Sequence, residues 1–435
     1  MRTWMLAGAA FAASMALCAP AGAATLPVLS PAQAYAPATG QAVSAFYASR
    51  HGSPLWLRTG ADSSAARELL GVLQRSPLDG LASGPALAAQ AQMLMARAQG
   101  GDAAAQAQAE RLLSTAWVMY VQALQTPPSG MTFADQWVAP RRFTPSQILS
   151  TAAAAPSLAG YVRQTSDVNP LYANLREAAW DTMQTSGGQI DPRIQASLDR
   201  AREMPFQKRY IMVDAASARL YMIDDGQIVD SMKVVVGKPS AQTPMLASTI
   251  YYATLNPYWH VTDELVRDLI AKNVLDQGMG YLKSHGYQVF SGLGDDAIQL
   301  DPTKVDWHAV AAGAQKVEVR QLPGPANSMG DLKFGFPNTQ DIYLHDTPKK
   351  ELFSQDDRDI SHGCIRLEDA KRLASWMMNG NVPNSDQPEE HVSLPTPVPI
   401  YLTYLTAQGH DGRLSYVDDI YGRDQQQGAV VAALR

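Results

Sequence analysis

Hydrophobic residues along this chain recur with two different periods, and the change falls near residue 208. From Val43 to about Trp180 apolar positions return at three- and four-residue intervals. Leu69, Leu70, Val72 and Leu73 form one such set, and Leu112, Leu113, Ala116, Trp117 and Tyr120 another. That spacing lines one side of a helix, so residues 43–205 predict a helical domain. Clusters such as Thr126-Pro127-Pro128-Ser129-Gly130 separate its helices, because proline lacks the amide proton a helix needs. Trp56, Trp117, Trp137 and Trp180 read as core fillers of this half. Beyond Tyr210 the period falls to two, and residues 210–214, 219–224 and 228–237 read as successive strands. Asp224-Asp225-Gly226 suits the left-handed backbone of a tight hairpin between the last two. Residues 248–255 extend the sheet, and strand signals return at 341–345 and 398–405.

Residues 256–330 interrupt that sheet. Thr262 stands where it can cap a helix through Leu265, Val266, Leu269 and Ile270, after which Gly and Pro become frequent. This stretch reads as an insertion covering one end of the sheet. The fold class is therefore α+β: an N-terminal α-helical domain, then a β-rich domain over 208–410 carrying an inserted capping subdomain.

The termini change the picture of where the chain works. Residues 1–23 carry Arg2, an apolar run over 5–17 and Ala21-Gly22-Ala23, the pattern of a cleaved signal peptide, which predicts export to the periplasm. Leu17 stands where a lipoprotein signal needs a small residue before Cys18. Residues 24–42 read as a loose leader and 411–435, with Gln425-Gln426-Gln427, as a tail. No later segment has the length of a membrane span, so the mature chain predicts no transmembrane segment. The formal charge of -6 is dispersed and no basic stripe exists to neutralise phosphates, which excludes nucleic acid as a partner.

Of two cysteines, Cys18 leaves with the signal segment, so Cys364 has no disulfide partner. A lone thiol is either buried and inert or the working group, and its neighbours decide. Cys364 sits in Ser361-His362-Gly363-Cys364-Ile365-Arg366, downstream of Tyr343-Leu344-His345-Asp346-Thr347. A thiol attacks acyl carbon as its thiolate, and an imidazole held in one tautomer can take its proton. Gly363 permits a tight turn that leaves amide N–H groups to meet a developing oxyanion. Helical periodicity from Leu367, with Leu373 and Trp376 on one face, places Cys364 near a helix start, where the dipole favours a thiolate.

This segment with its upstream histidine resembles the signature of the L,D-transpeptidases. The resemblance implies His345 as general base, Cys364 as the nucleophile that forms an acyl-enzyme, and the carbonyl of Asp346 as orienter of the imidazole. Ser361, His362 and Gly363 would shape the oxyanion and donor pocket. Tyr343 would line the donor site, and Arg366 would brace the loop and meet a substrate carboxylate. Phe46-Tyr47-Ala48-Ser49-Arg50, Trp56 and Asp79-Gly80-Leu81 resemble the scaffold domain of the long proteobacterial branch. Asn256-Pro257-Tyr258-Trp259, Val305-Asp306-Trp307 and residues 323–330 resemble its capping subdomain. A peptidoglycan-binding module, common in that branch, has no room between Pro170 and Tyr210. The implied partners are the donor and acceptor stem peptides of peptidoglycan, joined as 3-3 or 1-3 links or exchanged for free D-amino acids. No cofactor is implied, and carbapenems are the family's inhibitors.

Other pairings compete. His345, His362 and Cys364 are possible zinc ligands, though the His-x-Cys spacing is close for simultaneous binding. A papain-like site needs cysteine before histidine, the reverse of the order here. An L,D-carboxypeptidase, or a wall-binding scaffold without catalysis, uses the same architecture. Asp356, Asp357 and Asp359 read as a solvated loop, and Trp259 and Trp307 as either core or cleft residues.

Overall fold

The structure, a computed structural model, describes residues 31–424 apart from 59–62, 128–129, 206, 293 and 295. The signal segment 1–23, the first part of the leader and residues 425–435 lie outside the described residues. The helical half holds α1 (Pro31–Ser49), α2 (Ser64–Arg75), α3 (Gly84–Gln99) and α4 (Ala103–Leu124). A short strand β1 (Thr132–Phe133) precedes α5 (Pro145–Ala154), α6 (Leu158–Ser166), α7 (Pro170–Thr185) and α8 (Pro192–Arg202). The starts are written in the sequence. Thr144 and Gln147 form a reciprocal capping box on α5, and Asn169 accepts from the Tyr172 amide to cap α7. Proline opens α5, α7 and α8, where its missing N–H costs no helical bond.

The leader expected to be loose is helical from Pro31 onward. Alanine favours helix, Thr39 of the leader is buried, and farther along the same helix Val43 and Tyr47 are buried too, with the Tyr47 hydroxyl donating to the Glu110 carboxylate at 2.7 Å. Tertiary contact here overrides a composition that reads as disordered. Trp56 and Trp117 fill the core, ring centroids 6.1 Å apart, whereas Trp137 is 44% exposed and does not.

The β-rich half begins as a meander of β2 (Arg209–Asp214), β3 (Arg219–Asp224) and β4 (Gln227–Gly237). Its tight turn carries Asp225 at φ +47° and Gly226 at φ +74°, both left-handed. After β5 (Leu246–Leu255) the chain enters the insertion: β6 (Trp259–Val261), α9 (Asp263–Leu265), a π-helical turn (Val266–Ala271), α10 (Lys272–Gln277), α11 (Gly280–Ser284), β7 (Tyr287–Phe290), α12 (Trp307–Ala311) and β8 (Glu318–Gln321). It has its own three-stranded sheet, in the order β6-β8-β7, and its own core of Val266, Ile270, Val289, Trp307 and Val319. Trp307 is therefore a core residue, and the half-buried Trp259 packs against that core. Thr262 does precede the helix, but its hydroxyl makes no cap bond, and the helix widens at once into the π turn, leaving Leu269 exposed.

The chain returns through β9 (Leu332–Gly335), β10 (Tyr343–His345), β11 (Asp359–Ser361), β12 (Ile365–Leu367), α13 (Ala370–Met377) and β13 (Glu390–Thr403), and ends with the hairpin β14 (Ala407–His410) and β15 (Arg413–Tyr416). The main sheet runs β1-β5-β13-β2-β3-β4-β12-β10-β9, and pairing of β9 with β5 closes the path on itself. Strand alternation then separates two cores. Tyr210 and Met212 of β2, with Tyr401 of β13, face the helices and join their core. Ile211, Val213, Ile400 and Leu402 face the other way and pack with Leu344, Ile365 and α13. The helical half is thus built onto one face of the sheet.

Residues 411–424 are not a tail. β15 pairs with β14, Tyr421 is buried against Tyr404, and Asp424 meets the buried Arg200 of α8 at 2.6 Å. Their polar composition hid one buried ring, Tyr421, and the half-buried charge of Asp424.

Candidate active site

Pairing register, more than sequence proximity, assembles the site. β10 lies parallel to β12, with Leu344 beside Ile365 and His345 beside Arg366. On its other side β10 is antiparallel to β9, with His345 beside Lys333. Leu344, Ile365, Leu367 and Phe334 point into the core. Period two therefore turns Tyr343, His345, Cys364, Arg366 and Lys333 together to the opposite face. The Lys333 ammonium stands over the Tyr343 ring at 4.4 Å, and the Tyr343 and His345 rings are 5.7 Å apart.

His345 is 6% exposed, and its Nδ1 lies 2.6 Å from the carbonyl oxygen of Asp346. A carbonyl only accepts, so Nδ1 carries the proton and Nε2 keeps its lone pair. Burial, seconded by the nearby Arg366 charge, pushes the imidazole down to about 3, so it is neutral at physiological pH. Asp346 is itself held, its carboxylate bonding the Lys350 ammonium at 2.7 Å and the Asp331 amide at 3.1 Å. The Cys364 thiol faces the carbonyl oxygen of Asp341 at 3.5 Å. Burial pushes the thiol up, while Tyr343, Lys333 and Arg366 pull the other way. Burial likewise pushes the Tyr343 phenol well up, assisted by the neighbouring sulfur charge. Thiol and imidazole rest as neutral groups, and no hydrogen bond joins them among the described residues.

Several expectations need correction. Cys364 does not precede a helix: it leads into β12, and α13 starts only at Ala370, capped by Asp369, so no helix dipole acts on the thiol. The run from Leu367 misled because apolar spacing in so short a stretch fits strand and helix alike. The Gly363 amide is not free for an oxyanion, since it donates to Ser361 Oγ at 3.1 Å, and that hydroxyl donates onward to the Cys364 carbonyl at 2.6 Å. Gly363 serves the backbone instead: its φ is +109° and a Cβ would meet Ile342 Cδ1 at 3.0 Å. The Cys364 amide, by contrast, has no acceptor among the described residues. Nor does Arg366 brace the loop, as its guanidinium donates no hydrogen bond among the described residues. Arg358 does, reaching the carbonyls of Val234 (3.2 Å), Gln355 (2.8 Å) and Asp356 (3.1 Å). It was hidden among the aspartates of a loop that reads as solvated.

His362 is exposed and separate from the strand face, its Nε2 accepting from Lys238 Nζ at 3.0 Å. Partial burial and the Lys238 charge lower it, against the pull of Glu264 and Asp268. Among the described residues no group of three or more His, Cys, Asp or Glu side chains is placed to hold a metal ion. Lys333 and Lys238 were missed, and no local motif marks them.

Comparison with known proteins accords with this architecture. Residues 208–400 match the L,D-transpeptidase catalytic domain (YkuD), and residues 41–178 match the Scaffold domain. A Haemophilus influenzae protein named "Putative L,D-transpeptidase" is 26% identical over 392 residues, covering 87% of this chain and 77% of that protein. Among solved structures, the L,D-transpeptidase from Mycobacterium smegmatis is 16% identical, with TM-score 0.23, covering 45% of this chain and 58% of that one. L,D-transpeptidase 3 from Mycobacterium tuberculosis is 13% identical, with TM-score 0.23, covering 45% and 60%. The domain and sequence matches define an enzyme that joins a catalytic domain to a helical scaffold. The chain thus carries an L,D-transpeptidase catalytic domain over residues 208–400 and a Scaffold domain over residues 41–178.

Proposed function

We propose that this chain cross-links peptidoglycan stem peptides in the periplasm through a Cys364 acyl-enzyme, with His345 as general base. The observation that carries this reading is the shared face of β10 and the start of β12, where a buried, neutral imidazole with its Nδ1 tied to Asp346 flanks the lone thiol. In the first step Cys364 Sγ attacks the carbonyl of an L-centre in the donor stem, and the thiol proton passes to His345 Nε2. The Cys364 amide faces the oxyanion as it forms. The intermediate then expels the D-residue, whose amine takes the proton from Nε2, leaving a thioester. An acceptor amine attacks that thioester, gives its proton to Nε2 and releases the thiol. Arg366, charged and without a hydrogen bond among the described residues, is suited to a stem-peptide carboxylate. The separate core of residues 256–330, inserted between β5 and β9, supports reading them as a lid that screens the thioester from water.

The test is incubation of the mature protein with muropeptides, beside Cys364→Ala, with products read by mass spectrometry. New dimers absent from the variant support the transpeptidase, and fragmentation assigns 3-3 or 1-3 links. Shortened stems alone make it a carboxypeptidase. No product from either protein returns the chain to the wall-binding reading.

A further inference from the structure

The peptide unit that presents Cys364 is held from behind. The Gly363 carbonyl accepts from Thr243 Oγ1 at 2.7 Å, and the same hydroxyl accepts from the Gly237 amide at 2.9 Å. Thr243 is fully buried and ends a loop folded back so tightly on Gly237 that a Cβ there would lie 2.2 Å from the Ala241 carbonyl oxygen. The C-terminal segment grips this loop. The Tyr421 hydroxyl donates to the Gly237 carbonyl and accepts from the Thr243 amide at 3.4 Å. Arg423 donates to the Thr243 carbonyl and to Gln242 Oε1, both at 2.9 Å.

The segment is anchored in turn. Tyr421 stacks on Tyr404 with centroids 5.1 Å apart. The Asp419 carboxylate accepts from the Tyr404 hydroxyl at 2.8 Å and from the amides of Arg423 and Asp424, each at 2.9 Å. Asp424 meets Arg200 of α8 and Thr406, each at 2.6 Å. Bonded contacts thus run unbroken from the helical half, through the C-terminal turn and the 238–243 loop, to Gly363.

We infer that residues 419–424 are a clamp on the active site, and that Thr243 and Tyr421 are positioning residues for acyl transfer. This inference rests on reading Cys364 as the nucleophile. The Gly363 carbonyl and the Cys364 amide belong to one planar peptide unit, with oxygen and hydrogen on opposite sides. When Thr243 fixes the oxygen, it fixes the direction of the Cys364 N–H, and a donor on the oxygen also polarises the amide. Oxyanion stabilisation depends on that direction being set before the charge appears.

The experiment uses the full mature chain and a carbapenem, with acylation followed by stopped-flow absorbance and intact mass, and thermal melting as the check on folding. Thr243→Val should lower the acylation rate constant by about 10- to 100-fold, the scale on which small misplacements of reacting groups are felt. The non-covalent affinity constant should not move, and Thr243→Ser should restore the rate. Tyr421→Phe should lower the rate in the same direction with affinity unchanged. Wild-type acylation rates in both Thr243→Val and Tyr421→Phe overturn the clamp, as does an equal loss in affinity and rate. If Thr243→Val does not fold, Tyr421→Phe and Thr243→Ser decide alone. A wild-type protein that takes no carbapenem on Cys364 overturns the nucleophile reading itself, a result separable from the others.

Discussion

Replacing His345 by alanine tests the proposed chemistry most directly, because the structure sets both the size and the pH signature of the loss. The thiol's ordinary value is 9.0 and burial raises it. Without a base, fewer than about 1 in 100 thiols is ionised at pH 7, two units below that value. With His345 in place, the resting pair is a neutral thiol and a neutral imidazole, and the proton moves only as sulfur attacks. That state persists from above about 3, where the imidazole titrates, to the raised pKa of the thiol. Wild-type acylation by a carbapenem should therefore be flat between about pH 5 and 8.5. His345→Ala should fall about 10²- to 10⁴-fold at pH 7, the usual range for a lost general base. Its residual rate should climb about tenfold per pH unit, because only preformed thiolate then reacts. Stopped-flow acylation across pH, with intact mass to count modified protein, reads both features. A variant within threefold of wild type at pH 7, or one with a flat profile, would falsify the assignment of the base.

Further outcomes follow from the same geometry. His362→Ala should keep part of the acylation activity, since His362 is exposed and bonds Lys238 outside the strand face; a loss equal to that of His345→Ala in the carbapenem assay would show that the two imidazoles share the role. Deleting residues 258–328, a separate core, should raise hydrolysis relative to transfer, and an unchanged product ratio removes the lid. Below pH 6.5 the unfolded chain protonates His345 while the folded chain resists until about 3. His345 should therefore make stability fall as pH drops through that window, and His345→Gln should flatten the slope in urea titrations. Arg358→Ala should lower the melting temperature by several degrees, because three carbonyls lose a charged donor.

Cys364, His345 and the outline of the meander were legible because each is encoded locally, by a motif or by period-two spacing. The neighbours were not. Lys333 stands beside His345 only through the β9–β10 register, and Thr243 reaches Gly363 across 120 residues of chain. Pairing between distant strands leaves no periodic trace in either strand. The C-terminal segment was missed for a related reason. Tyr421, Arg423 and Asp424 are too few to make a pattern, yet each is committed to a long-range bond. The misplaced helix start after Cys364 shows the opposite error, in which local spacing suggested an element that sheet pairing overrode.

The ion pair between Arg200 and Asp424 spans 224 positions of chain and joins the first-made half to the last described residue. Arg200 is 3% exposed, and its other acceptor, the Tyr404 carbonyl, also arrives late. A buried guanidinium without its counter-charge costs several kcal/mol, so the docking of α8 depends on Asp424. The frame around the thiol is therefore completed by residues 419–424, which follow Cys364 in the chain. A chain truncated before residue 419 should keep Cys364 and His345 yet lose the contacts through which the 238–243 loop is held.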